Sequence, residues 1–179
     1  MRAVPFLLAV AVLGAALYAA WGRPDRAGSL AWRAVARDLA ARYPDLPTVT
    51  TAALAERLRQ PTPPLLLDAR TPAEAAVSRL PGARRVDPDA SAASLAAALS
   101  DVDRAQEVVV YCSVGVRSAR VASRLRQAGF RRVENLEGSI FRWANEGRPL
   151  VTGDGAPART VHSYDAVWGR LLRPALRAD

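Results

Sequence analysis

The chain predicts an α/β domain built around a mainly parallel sheet. Short apolar runs alternate with short helical segments between Thr48 and Leu136, the order produced by βα units whose strands pair in parallel. The run Glu107–Tyr111, EVVVY, is apolar on consecutive residues, as a strand buried on both faces must be. Proline and glycine punctuate the alternation, with Pro61, Pro63 and Pro64 before one run and Gly129 after another.

Taken in order, Thr48–Thr50 reads as a short strand and Ala52–Arg59 as a helix. Leu65–Asp68 follows the proline cluster as a buried strand. Pro72–Val77 reads as a helix with proline in its first turn, where the missing N–H costs nothing. Arg85–Val86 is a brief strand, and Ser91–Leu99 is a helix capped by its serine. Glu107–Tyr111 is the central strand, Ser118–Ala128 a helix stopped by Gly129, and Val133–Leu136 a further strand. These elements set one domain at residues 48–152. Within the next segment, Ile140, Phe141 and Trp143 form a helical face directed at the sheet, not a binding box.

Before the domain, Ala3–Trp21 is uncharged over 19 residues, about the length a helix needs to cross the hydrocarbon core. Residues 1–22 therefore read as a transmembrane anchor or a signal peptide. Cleavage after Ala20 or Ala19 would place Tyr18 or Leu17 where a small residue is wanted, so an uncleaved single-pass anchor is favoured. Arg23, Arg26, Arg33 and Arg37 follow the span and only Arg2 precedes it, which favours a cytoplasmic domain and leaves the opposite side open. Residues 23–47 contain a helix over 29–43, with Leu30, Trp32, Val35, Ala36 and Leu39 on one face. That helix is either an amphipathic membrane-surface segment or a spacer, and Pro44 and Pro47 end it. Residues 153–179 form a basic tail in which Val167, Leu171, Leu172 and Leu176 fit a short amphipathic helix, packed on the domain or laid on anionic lipid.

The net charge of +8 is carried by arginine alone, for the sequence has no lysine. Acids are interspersed, no aromatic patch accompanies the arginines, and no nucleic-acid motif is present, so nucleic acid is excluded as an expected partner. One cysteine rules out an intramolecular disulfide. No spacing of metal ligands emerges, and neither a metal nor another cofactor is expected. The single histidine, His162, lies outside the domain core and reads as structural or surface.

Chemistry concentrates in residues 108–129, VVVYCSVGVRSARVASRLRQAG. The strand runs out at Tyr111, Cys112 opens a short loop, and a helix follows. In open α/β sheets ligands bind at the carboxyl ends of strands, where this cysteine sits. A loop closing over a helix amino end turns backbone N–H groups inward and stabilises an anion. A thiolate is such an anion, and a lowered pKa makes it nucleophilic at neutral pH. Gly115 permits the positive φ of a tight curl, and Arg117 adds a charge at the rim. A buried, inert cysteine is the alternative.

Three segments together resemble a single-domain rhodanese. They are LLLDARTPAEAAVSRLPGA at 65–83, VVVYCSVGVRSARVASRLRQAGF at 108–130 and VENLEGSIFRWANEGRPLV at 133–151, and VHSYDAVWGRLL near the end resembles a tail of some bacterial members. The resemblance implies a three-layer fold and a persulfide on Cys112, formed from a donor such as thiosulfate and passed to cyanide or a thiol; a protein acceptor is left unnamed. It implies an anion cradle at Ser113, Val114, Gly115, Val116, Arg117 and Ser118. Asp68 and Arg70 become supports near the active face, or else an ordinary ion pair capping a strand. Glu74 reads as a surface or structural acid. The chain departs from the pattern at Arg79, where histidine is frequent, at Ala75, where an aromatic is frequent, and at Ser139, where a second glycine is common.

Two other functions compete. Cysteine phosphatases and arsenate reductases of related fold also set a cysteine and an anion nest at a strand-to-helix turn, but with a longer loop than the four residues between Cys112 and Arg117. A non-catalytic membrane docking module is the other, and the presence of Cys112, Gly115 and Arg117 weighs against it.

Overall fold

The computed structural model describes residues 24–178. The expected anchor at Ala3–Trp21 lies outside the described residues. Among those described, no helix is long and apolar enough to cross a membrane.

Five strands form one sheet in the order β1-β5-β4-β2-β3: β1 (Thr48–Val49), β2 (Leu65–Asp68), β3 (Arg84–Arg85), β4 (Glu107–Tyr111) and β5 (Arg132–Leu136). Every adjacent pair is parallel. The central β4 is flanked on both sides, with Leu67 opposite Val110 on β2 and Asn135 opposite Val110 on β5. Its Val108, Val109, Val110 and Tyr111 are fully buried, which is why its sequence does not alternate.

Two cores sandwich the sheet. On one face Val108 and Val110 pack with Leu95, Leu99, Val121, Ala122 and Leu125, from helices α4 (Ala92–Ala98) and α5 (Val116–Gln127) and the residue after α4. On the other, Val109 and Tyr111 pack with Leu54 of α2 (Thr51–Arg57) and with Ile140, Phe141 and Trp143 of α6 (Ser139–Asn145). The fold is thus a three-layer α/β sandwich with a wholly parallel central sheet. Helix α3 (Pro72–Val77) starts on a capping box, in which Thr71 and Glu74 each satisfy the other's backbone N–H.

Both flanks differ from the sequence reading. The first helix, α1 (Pro24–Arg42), begins earlier than 29, and its apolar face is turned to the domain, where Trp32, Val35, Ala36 and Leu39 line a cavity of about 310 Å³ with Val114 and Ala119. Trp32 packs against the second core beneath the Arg142 guanidinium, 5.2 Å from the ring centroid, while Leu30 at the far end stays 64% exposed. The expected amphipathic tail helix is absent. The tail forms two 3-10 turns, Trp168–Leu171 and Pro174–Leu176, and a parallel pair of β6 (Val161–His162) with β7 (Arg177–Ala178). Pro174 has no N–H to donate and forces Arg173 extended, at ψ 138°. Val161 and Leu172 are buried in the same core as α6, so the tail is built into the body of the domain.

Under the sheet end, Arg70 is fully buried. Its Nε and Nη2 donate to the two carboxylate oxygens of Asp68 at 2.9 and 2.6 Å, and Nη2 also reaches the Ser78 carbonyl at 2.6 Å. Tyr111 donates to Asp68 at 2.9 Å and accepts from the Leu80 N–H at 3.1 Å. Burial, with the Asp68 charge beside it, pushes the Tyr111 hydroxyl far up, so it remains a donor. Removing one member strands the others without water. Arg70→Leu is expected to lower unfolding free energy by about 3–5 kcal/mol, measured by urea denaturation; a loss below ~1 kcal/mol would show that the network is not what holds β2 to α3.

Candidate active site

The loop after β4 is fastened from behind. The Cys112 N–H donates to Ser139 Oγ at 3.1 Å, and the carbonyls of Cys112 and Ser113 accept from the N–H groups of Ile140 and Phe141, each at 3.1 Å. The first turn of α6 therefore holds the backbone of the cysteine loop. Ser139 adopts φ 49° to do so, a conformation that costs a serine about 1 kcal/mol or more. Where a glycine would relieve that strain, the serine hydroxyl supplies the bond to Cys112.

Gly115 ends the loop at φ +114°. The conformation calls for glycine, and a Cβ there would stand 3.3 Å from Leu39 Cδ1 of α1 and 3.5 Å from Asn135 Nδ2, so α1 would have to give slightly to admit one. The curl carries the chain straight into α5 at Val116, two residues ahead of the expected start. Arg117 and Ser118 consequently project from the first helical turn.

Cys112 is 1% exposed. Burial pushes its thiol up, but three influences outweigh it: the Ser118 hydroxyl 3.5 Å from Sγ, the Arg117 charge, and the backbone N–H groups of Ser118 and Gly115, the latter 3.2 Å from Sγ. The net result is a thiol below its ordinary value. Ser118 has one hydroxyl hydrogen for two neighbours, since it also lies 2.7 Å from Asn135 Oδ1. The Asn135 amide is oriented by its Nδ2 donating to the Gly115 carbonyl at 3.1 Å. The hydroxyl thus stands between the Asn135 amide oxygen and the sulfur, within reach of both.

Arg117 is not a free charge at the rim. Its Nη1 and Nη2 donate to the two Glu74 oxygens at 2.7 and 2.6 Å, and Nη2 also donates to Ser113 Oγ at 2.8 Å. Glu74, taken from sequence as a surface or structural acid, is 2% exposed and structural in a specific sense. It accepts from Ser113 Oγ, from the Thr71 N–H and from Thr71 Oγ1 as well. Burial raises its pKa, and the Arg117 and Thr71 hydrogen bonds overcome that and hold the carboxyl at about 2.

Cys112, Ser113, Val114, Val116 and Arg117 line a cavity of about 90 Å³, joined by Tyr164 and Trp168 from the tail. Gly115 and Ser118 stand beside the sulfur but not on that cavity. Asp68 and Arg70 reach the site through Arg70 Nη1, which donates to the Glu74 carbonyl at 3.3 Å. His162 does not line the cavity; its Nδ1 accepts from the Tyr164 N–H at 2.9 Å. Arg79 donates to the Gly153 carbonyl at 2.6 Å and pairs its backbone with Val151, tying the domain to the tail. Sequence reading gave no role at the site to Asn135, Ser139, Tyr164 or Trp168. Asn135 carried one signal, an amide at a strand position between Glu134 and Leu136, where asparagine is disfavoured.

Two outcomes follow from this electrostatics. Arg117→Ala is expected to raise the Cys112 pKa, read from iodoacetamide alkylation rates against pH; an unchanged value would show that the guanidinium does not act on the sulfur. Glu74 has its pKa depressed on folding, so its stabilisation is complete above the ordinary 4.5 and is lost as pH falls towards 2. That gap corresponds to ~3 kcal/mol. Glu74→Gln should flatten the decline in Tm between pH 5 and 2, and an unaltered decline would place the acid sensitivity elsewhere.

Comparison with known proteins agrees with the geometry. The model of the rhodanese-like domain family matches residues 50–146. A sulfurtransferase of Allochromatium vinosum is 35% identical over 107 residues, covering 60% of this chain and 96% of that protein. A putative sulfurtransferase of Bacillus subtilis is 29% identical, covering 59% and 97%. The crystal structure of a rhodanese-like domain protein from Staphylococcus aureus superposes with a TM-score of 0.52 at 28% identity, over 60% of this chain and 98% of that one. With the family model covering more than half of the sequence, the chain belongs to the rhodanese-like domain family.

Proposed function

We propose that the protein is a sulfurtransferase that moves sulfane sulfur from a donor such as thiosulfate to a thiophilic acceptor through a persulfide on Cys112. The observation that carries this reading is a thiol of lowered pKa set at the carboxyl end of the central strand, with the Gly115 N–H aimed at its sulfur. The thiolate attacks the outer sulfur of the donor, the S–S bond breaks, and sulfite leaves with the electron pair. The terminal sulfur of the persulfide is then attacked by cyanide or a thiol, and the Cys112 thiolate is the leaving group. Backbone N–H groups that favour a thiolate also favour its return as leaving group, so one nest serves both half-reactions.

The arrangement of Arg117 weighs against the phosphatase and arsenate reductase reading. A phosphoryl group requires a guanidinium fork free to clasp its oxygens, and this fork is closed on Glu74. Sulfur transfer needs only the charge nearby. A purely docking module would have no use for a lowered thiol pKa.

Anchoring by residues 3–21 and a domain on the cytoplasmic side complete the proposal, supported by the uncharged span and the arginines that follow it. Because α1 packs over Gly115 through Leu39, it belongs to the catalytic unit and not only to the tether.

Cys112→Ser is expected to abolish thiosulfate-to-cyanide transfer while leaving the far-UV circular dichroism and Tm intact; activity near wild type would defeat the assignment. The full-length protein should remain with membranes after a carbonate wash, whereas a protein starting at Pro24 should be soluble and active. One starting at Pro44 should lose part of that activity, and equal activity of the two would mean that α1 does not support the loop.

A further inference from the structure

Part of the wall of the Cys112 cavity comes from the tail. Tyr164 and Trp168 line it together with Val114 and Val116, and the cavity holds about 90 Å³, room for roughly three waters at ~30 Å³ each. Tyr164 is held at φ 67°, a left-handed conformation that a tyrosine adopts only where its surroundings impose it, at a cost of about 1–3 kcal/mol. His162 Nδ1 accepts its N–H, and its ring lies over the Arg117 guanidinium, 4.7 Å from centroid to Cζ. Trp168 is fixed by Asp165, whose Oδ1 accepts the N–H groups of Val167 and Trp168, each at 2.8 Å.

The segment that carries both aromatics is anchored at several points. Val161 and Leu172 are buried. The Asn145 side chain donates to the Leu171 carbonyl at 2.7 Å and accepts from the Arg173 N–H at 2.9 Å. Gly169 packs so closely that a Cβ would stand 3.1 Å from Ser163 Cβ. The segment is thus pinned to the core on both sides of the aromatics, with Trp168 packed against it and Tyr164 left 46% exposed over Arg117.

We propose that Tyr164 and Trp168 are specificity-determining residues of the Cys112 site. They admit small donors of sulfane sulfur, of which thiosulfate is the example, and reject donors whose sulfur sits on a tripeptide or a protein. The inference rests on the sulfurtransferase reading above. In either case the Cys112 thiolate attacks the outer sulfur and the S–S bond breaks, the electron pair leaving with sulfite or with the donor thiolate. In a cavity of about 90 Å³ that both rings line, a small leaving group fits where a bulky one meets the rings.

The test uses the full-length protein in detergent, with thiosulfate and glutathione persulfide as alternative donors and kcat/KM measured for each. The wild type should favour thiosulfate. Trp168→Ala and Tyr164→Ala should each shift the ratio toward glutathione persulfide by about tenfold or more. Tyr164 is 46% exposed, so its variant decides the matter if Trp168→Ala does not fold. A ratio unchanged in the folded variants, or a wild type that already favours glutathione persulfide, overturns the proposal while leaving sulfur transfer intact. If neither donor sulfurates Cys112 in any of the proteins, the sulfurtransferase reading fails and this inference with it.

Discussion

The carboxylate of Glu74 is the constraint on which the site depends. It accepts five hydrogen bonds, two from Arg117, one from Ser113 and two from Thr71, and so joins the start of α3 to the cysteine loop and the first turn of α5. A carboxylate this buried is tolerable only because its oxygens are fully partnered. In return it fixes where the Arg117 charge stands relative to the sulfur. Arg117 then acts on Cys112 as part of a neutral pair held at one distance, not as a mobile cation.

The remainder of the site is a set of backbone fixtures. The start of α6 holds the Cys112 and Ser113 carbonyls, and Gly115 turns the chain into α5 within hydrogen-bond reach of the sulfur. The nest thus exists before any donor arrives, and little reorganisation is required when negative charge moves onto or off the sulfur. The second buried pair, Asp68 with Arg70, sits one step further back. It ties the end of β2 to the carbonyls of Glu74 and Ser78, which positions the helix that carries Glu74.

Much of this was legible in the amino-acid order. The runs at Leu65–Asp68 and Glu107–Tyr111 coincide with strands because a buried parallel strand announces itself by continuous apolarity. Pro72–Val77 coincides with its helix because a proline in the first turn marks a helix start. Cys112 and Gly115 were found because their spacing is local. Glu74 and Arg117 were each noticed, but their pairing joins residues 43 apart in sequence and has no local signature. Asn135, Ser139, Tyr164 and Trp168 were given no role at the site for the same reason, since each acts across a long separation. The tail misled because leucines at helical spacing describe a face that can be buried equally well by 3-10 turns once Pro174 interrupts the helix.

The central claim is that Cys112 holds a transferable sulfur atom. The most direct measurement is the intact mass of the full-length protein after incubation with thiosulfate and removal of excess reagent. The mass is expected to rise by one sulfur atom, to return to the starting value on addition of cyanide, and to stay unchanged in Cys112→Ser. No added sulfur in the folded wild-type protein, or an addition that persists in Cys112→Ser, would contradict the account.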